Sequence, residues 1–247
     1  MEQELLVLSL AVFGASALQS ATGIGFGIIA GPVLLVVLND GTAIQISIVL
    51  NLLIALLLAP SLRQKADRRL LGNLLVGLIV GSPLGIYIYL SMDIALLKVF
   101  AGLVVLFTLL AMLRNGRRAS TNPPDRANSK VEHMTIGVVA GIMGSSLAMP
   151  GPIPAAWMSA KGFDKETIRA TILVMFVFAY VFALVLQLAL AGIDTDSLKL
   201  CAVLAPSTVA GVLVGRFLSS RISERTFRWM LVITLASTVV ILFSTLG

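Results

Sequence analysis

Long apolar runs alternate with short polar turns along this chain, and two of the runs are broken. The first break is Gln19-Ser20-Ala21-Thr22-Gly23-Ile24-Gly25-Phe26-Gly27, followed by Gly31-Pro32. The second is Gly141-Ile142-Met143-Gly144-Ser145-Ser146-Leu147-Ala148-Met149-Pro150-Gly151-Pro152-Ile153-Pro154. The apolar pieces beside them, Leu5–Leu18 with Ile28–Leu38 and Met134–Leu147 with Ile153–Ala160, fall short of the roughly 20 residues that cross a bilayer. Each pair is expected to form a hairpin of two half-helices with the break at its tip. Two thin, tilted spanning helices joined by a glycine-rich turn are the alternative. Unbroken runs predict spanning helices at Ala43–Ala59, stopped by Pro60, and at Leu70–Leu90, Ile94–Leu113, Glu166–Ala191, Leu198–Leu218 and Thr226–Phe243.

The two halves of the chain match in order and spacing. Gly31-Pro32 aligns with Gly151-Pro152, and Ala43-Ile44-Gln45-Ile46-Ser47 with Thr167-Ile168-Arg169-Ala170-Thr171. Gly77, Gly81 and Gly85 align with Ser207, Gly211 and Gly215, a row of small residues that lets helix backbones approach closely. The expected fold is an all-α integral membrane protein of two inverted-topology repeats, each a short half-helix hairpin plus three spanning helices. Residues 1–113 form the first transmembrane repeat, 114–131 a cytoplasmic linker loop, and 132–247 the second repeat. Lys and Arg set the orientation. Arg63–Arg69, Arg114–Lys130 and Ser219–Arg228 are basic and expected in the cytoplasm; Asn39–Thr42, Ser91–Asp93 and Gly192–Asp196 hold neither residue and face outside. Both termini then come out external, and Glu2 and Glu4 at the start do not fit a signal peptide.

Composition narrows the classes. Only 12% of the residues are charged and the mean hydropathy is +1.01, against about 25% charged in soluble domains. The net charge of +6 sits in loops, which points to anionic lipid and not to nucleic acid. One cysteine, Cys201, excludes a disulfide framework or a CxxC metal site. No metal site, cofactor or catalytic motif is expected, and the reading is not an enzyme.

The breaks carry the candidate chemistry. A helix that starts inside the membrane offers unpaired N–H groups and partial positive charge, which suit an anion. Gly23, Gly25 and Gly27 let a ligand approach the backbone. Gly144 and Gly151 stand at the second break. Gln19, Ser20, Thr22 and Ser145 flank the two breaks; Ser47 and Asn51, four residues apart, share a helix face; Thr171 is the mate of Ser47. These twelve residues form the expected substrate site. Single polar residues of this kind more often join helices than bind ligands. No Asp, Glu or His falls mid-span, so no proton relay or sodium cage of the usual kind is legible.

Gly23-Ile24-Gly25-Phe26-Gly27 with Gly31-Pro32-Val33-Leu34, then Ala43…Ser47, and their echoes Gly141…Gly144-Ser145, Pro152 and Ala170-Thr171 resemble the TauE/SafE sulfite-exporter family. The resemblance covers nearly the whole chain. It departs at Phe26, where a glycine is common in that family, and at Ser145-Ser146-Leu147. It implies export or uptake of small anions, such as sulfur oxyanions or organosulfonates, across the bacterial plasma membrane. The function expected is a secondary transporter working by alternating access. A passive anion channel is the alternative, and a membrane scaffold without flux a third reading. The expected partners are a small anion, the lipid bilayer and a coupling proton or ion; a homo-oligomer stays open.

Overall fold

A computed structural model describes residues 2–115 and 130–219, together with positions 236 and 240. Most of the expected linker 114–131, the basic segment after Ser219 and the last expected span, Thr226–Phe243, lie outside the described residues. Among those described there is no strand. The order is α1 (Glu2–Thr22), α2 (Phe26–Leu38), α3 (Thr42–Leu62), a 3-10 turn (Arg63–Lys65), α4 (Arg68–Ser91), α5 (Ile94–Asn115), α6 (Lys130–Leu147), α7 (Pro152–Ala160), α8 (Lys165–Leu190) and α9 (Thr195–Ser219).

Five of these helices, α1, α3, α4, α8 and α9, are long and apolar enough to cross a membrane. α1 corrects one expectation. It is no half-helix of Leu5–Leu18 but runs 21 residues, about 31 Å at 1.5 Å per residue. Its polar end stays helical because the hydroxyls find carbonyls. Thr22 Oγ1 donates to Leu18 O at 2.9 Å, and Ser20 Oγ to Val212 O on α9 at 2.9 Å. The second arms are the short ones, with 13 residues in α2 and 9 in α7. Pro60 does not stop α3 either. It sits in the last turn, where only one backbone bond is lost, and the helix continues to Leu62.

α6 and α7 are tied together at the base of the second hairpin. Trp157 Nε1, near the end of α7, donates to Glu132 Oε1 at the start of α6, at 2.8 Å. Lys161 Nζ reaches the same carboxylate at 3.1 Å. Ala148 turns the chain: it has φ 56°, the left-handed region that ends many helices, and Met149 N–H reaches back to Met143 O.

α3 is the buried centre, with apolar and polar faces both covered. α8 crosses it antiparallel. Gln45 meets Gln187 at one end, and at the other Asp67 N–H donates to Thr171 Oγ1 at 3.1 Å. α4 packs on α6 and α1 on α9. Glycine makes both contacts. A methyl added at Gly77, Gly81 or Gly85 would stand 2.0, 2.1 or 2.4 Å from the carbonyl oxygens of Met134, Val138 and Ile142. One at Gly211 or Gly215 would stand 2.3 or 2.1 Å from those of Phe13 and Ala17. Both registers advance together, so each pair runs parallel. In lipid, helices gain little from hiding leucine, and close backbone contact drives their association. The outer faces present apolar side chains such as Leu10, Val80, Tyr87, Phe178 and Val203, the belt a bilayer covers.

Candidate functional site

The two breaks meet. Gly27, in the first turn of α2, lies against the second break: a methyl there would stand 2.5 Å from Ala148 O and 3.2 Å from Met149 Cγ. One turn on, Gly31 faces Met149 Cε and, at 3.8 Å, Ser47 Oγ of α3. One face of α2 thus packs against both the second break and Ser47 of α3.

That face is wired to the first break. Gln19 Nε2 donates to Asn51 Oδ1 at 3.2 Å, and Asn51 Nδ2 donates to Ser47 O at 3.0 Å. Gln19 Oε1 accepts the Phe26 N–H at 2.9 Å. Gln19 therefore caps the start of α2 from α1 and satisfies one of the N–H groups that the helix leaves unpaired. Gly23 and Gly25 have φ 89° and 150°, which only glycine adopts without strain. Gly25 packs on Leu18, so its backbone turns where a side chain would not fit.

At the second break, Gly144 packs under Pro150 and Gly151 under Phe176. Gly151 starts α7 with no side-chain cap. Pro152 and Pro154 supply no N–H, so the donors of this helix start are fewer than those of α2. Tyr180 Oη, fully buried, donates to Ala148 O at 3.2 Å and fixes the turn.

Two buried hydroxyls stand out. Ser47 Oγ and Ser145 Oγ have no hydrogen-bond partner, although their residues are 0% and 1% exposed. An unmet buried polar group costs about 1–3 kcal/mol, so such a group invites a ligand. Ser47 belongs to the α2–α3 contact, and Ser145 sits in the last turn of α6, four residues before Met149.

Three expected site residues stand apart. Thr171 bonds the Asp67 N–H at the turn before α4, away from Ser47. The chain reverses close to α8 there, so a loop reaches Thr171 where helix α2 covers Ser47. Ser20 Oγ serves α9, and Thr22 Oγ1 serves its own turn, accepting the Ile24 N–H at 3.1 Å. Sequence reasoning did not single out Tyr180, Gln45 or Gln187. Gln45 Nε2 donates to Gln187 Oε1 at 3.2 Å and Gly192 O at 2.8 Å. An amide inside an apolar run is the signal that marks Gln187, since it must find a partner.

Among the described residues no group of three His, Cys, Asp or Glu side chains could hold a metal ion. Where α2 meets Ala148 and Ser47 the polar groups are hydroxyls, amides and a helix start, while the Arg169 guanidinium reaches the far side of the first break at the Ser20 carbonyl. No curated protein and no solved structure matches the chain. The sequence profile described as sulfite exporter TauE/SafE matches residues 8–242, nearly all of the 247. The chain is a multi-pass membrane protein and belongs to the sulfite exporter TauE/SafE family.

Proposed function

We propose that this protein is a secondary transporter that carries a small sulfur oxyanion, sulfite or thiosulfate, or a small organosulfonate, across the plasma membrane by alternating access. The anion sits where the breaks meet, between the start of α2, Ser47 and Asn51 of α3, and Ser145. The observation that carries this reading is the pair of buried, unpartnered hydroxyls, Ser47 Oγ in the second turn of α3 and Ser145 Oγ in the last turn of α6. A neutral donor set suits transport. It replaces hydration well enough to admit an anion and weakly enough to release it.

Two inverted repeats support alternation. Exchanging α1, α2, α3 and α4 with α6, α7, α8 and α9 carries α1–α9 onto α6–α4, α3–α9 onto α8–α4, and α3–α8 onto itself. If short turns reverse successive spans, α1 and α6 run oppositely. The α3–α8 crossing is then the natural hinge. One end is closed by Gln45, Gln187 and Gly192, the other by Lys65 with Glu166 and by Arg169 with the Ser20 carbonyl.

A thermal-shift screen of the purified protein tests the substrate class. Ligands that bind the folded state raise the melting temperature by mass action. Sulfite, thiosulfate or a small sulfonate should stabilise it, and chloride or acetate at equal ionic strength should not. Stabilisation by carboxylates alone would refute the sulfur-oxyanion assignment.

A further inference from the structure

Arg169 carries more donors than the fold uses. It stands in the second turn of α8, a helix long and apolar enough to cross a membrane. Its stem lies on the first break, where a methyl on Gly23 would stand 2.7 Å from Arg169 Cγ. Nη2 donates to the Ser20 carbonyl in the last turn of α1. Nε is buried and has no acceptor. A guanidinium keeps its charge, and its planar fork matches an oxyanion. Glu166, one turn back, attracts it but is engaged by Lys65.

A guanidinium with one nitrogen bonded and a buried nitrogen left unmet makes a seat for an anion. The matching position in α3 lacks this. It carries Gln45, whose amide nitrogen is spent on Gln187 and Gly192. Of this matched pair of positions, only the one in α8 carries a charge.

We propose that Arg169 is a docking site for the transported oxyanion at the end of the bundle that carries the Arg63–Lys65 turn. The docked anion takes the guanidinium from the Ser20 carbonyl. That frees the end of α1 and the Gly23-Ile24-Gly25 turn to shift, so arrival of the anion and movement of the first break are one event. This inference rests on the reading of the protein as an oxyanion transporter. A lipid phosphate presents the same oxygens, and the experiment separates the two sources.

The test is sulfite flux by the full-length chain in right-side-out and inside-out membrane vesicles. Arg169→Gln should raise KM at the Arg63–Lys65 face by roughly tenfold or more, the usual loss for a hydrogen bond to a charge, and leave KM at the other face unchanged. Arg169→Lys keeps the cation but not the fork, so it should fall between. Added salt should raise the wild-type KM at that face and leave Arg169→Gln unmoved. If Arg169→Gln fails to fold, Arg169→Lys and the salt series carry the result. Equal effects at both faces, with only maximal flux and melting temperature lowered, would mean a structural role and overturn the proposal. So would an unchanged KM with flux that follows anionic lipid content, which assigns the site to lipid phosphate. A wild-type protein that moves no sulfur oxyanion fails at the earlier step, and the transport reading falls first.

Discussion

Ser47 is a hydroxyl that the fold buries and leaves unbonded. Two outcomes follow from one substitution. Ser47→Ala should leave the melting temperature of the empty protein unchanged or raised, because it removes an unmet polar group. The same variant should lose part of the stabilisation that sulfite gives, by about 0.5–1.5 kcal/mol for one hydrogen bond, or more for a bond to a charge. A lowered melting temperature with full sulfite response would mean that the hydroxyl is structural. Gly27 makes the complementary case. Its Cβ would collide with the Ala148 carbonyl, a backbone atom that cannot rotate aside. Gly27→Val should abolish sulfite-induced stabilisation while the protein still inserts, read by thermal shift on the purified variant. At this scale the sequence revealed Ser47 and Asn51 through their shared helix face. It could not reveal that Thr171 is occupied by Asp67, because that contact joins positions 104 residues apart.

Among the elements, the small-residue rows were legible, because close backbone approach in lipid needs a repeated absence of side chain. Gly81→Ala and Gly211→Ala should each lower the yield of folded protein, since even a methyl meets a carbonyl at 2.1 or 2.3 Å. Leucine at either site should prevent assembly, and size-exclusion profiles in detergent check both. The length of α1 was not legible. Gln19, Ser20 and Thr22 read as the end of a helix, but their partners come from α9, α3 and their own turn. The base of the second hairpin offers a pH test. The Trp157 indole, then Lys161, hold the Glu132 carboxyl below its usual value of 4.5. A depressed folded value means the contact stabilises above the usual value and is lost as pH falls through the lowered one. Trp157 emission, in a Trp229→Phe background, should therefore change on acidification below pH 4.5, and Glu132→Gln should remove that change.

Over the whole molecule, the membrane class and the helix order could be read from hydropathy, and the family from the ordered motifs. The meeting of the two breaks could not. It depends on one face of α2 packing against Ala148, Met149 and Ser47, which no local pattern encodes. Orientation is the expectation that Lys and Arg supply. In a Cys201→Ser background, Asp93→Cys should react with an impermeant thiol reagent on intact cells, and Arg63→Cys should react only after permeabilisation. The reverse pattern would turn the molecule over.

The central claim is that the chain carries a sulfur oxyanion by alternating access through the meeting point of the breaks. Sulfite counterflow in proteoliposomes tests it most directly. Vesicles loaded with unlabelled sulfite and diluted into a trace of labelled sulfite should accumulate label transiently above equilibrium, because one carrier site exchanges the two pools. Ser47→Ala should do so with weaker apparent affinity, and Gly27→Val should not do so at all. Label that only equilibrates, at a rate linear in concentration, would be the behaviour of a channel and would contradict the account.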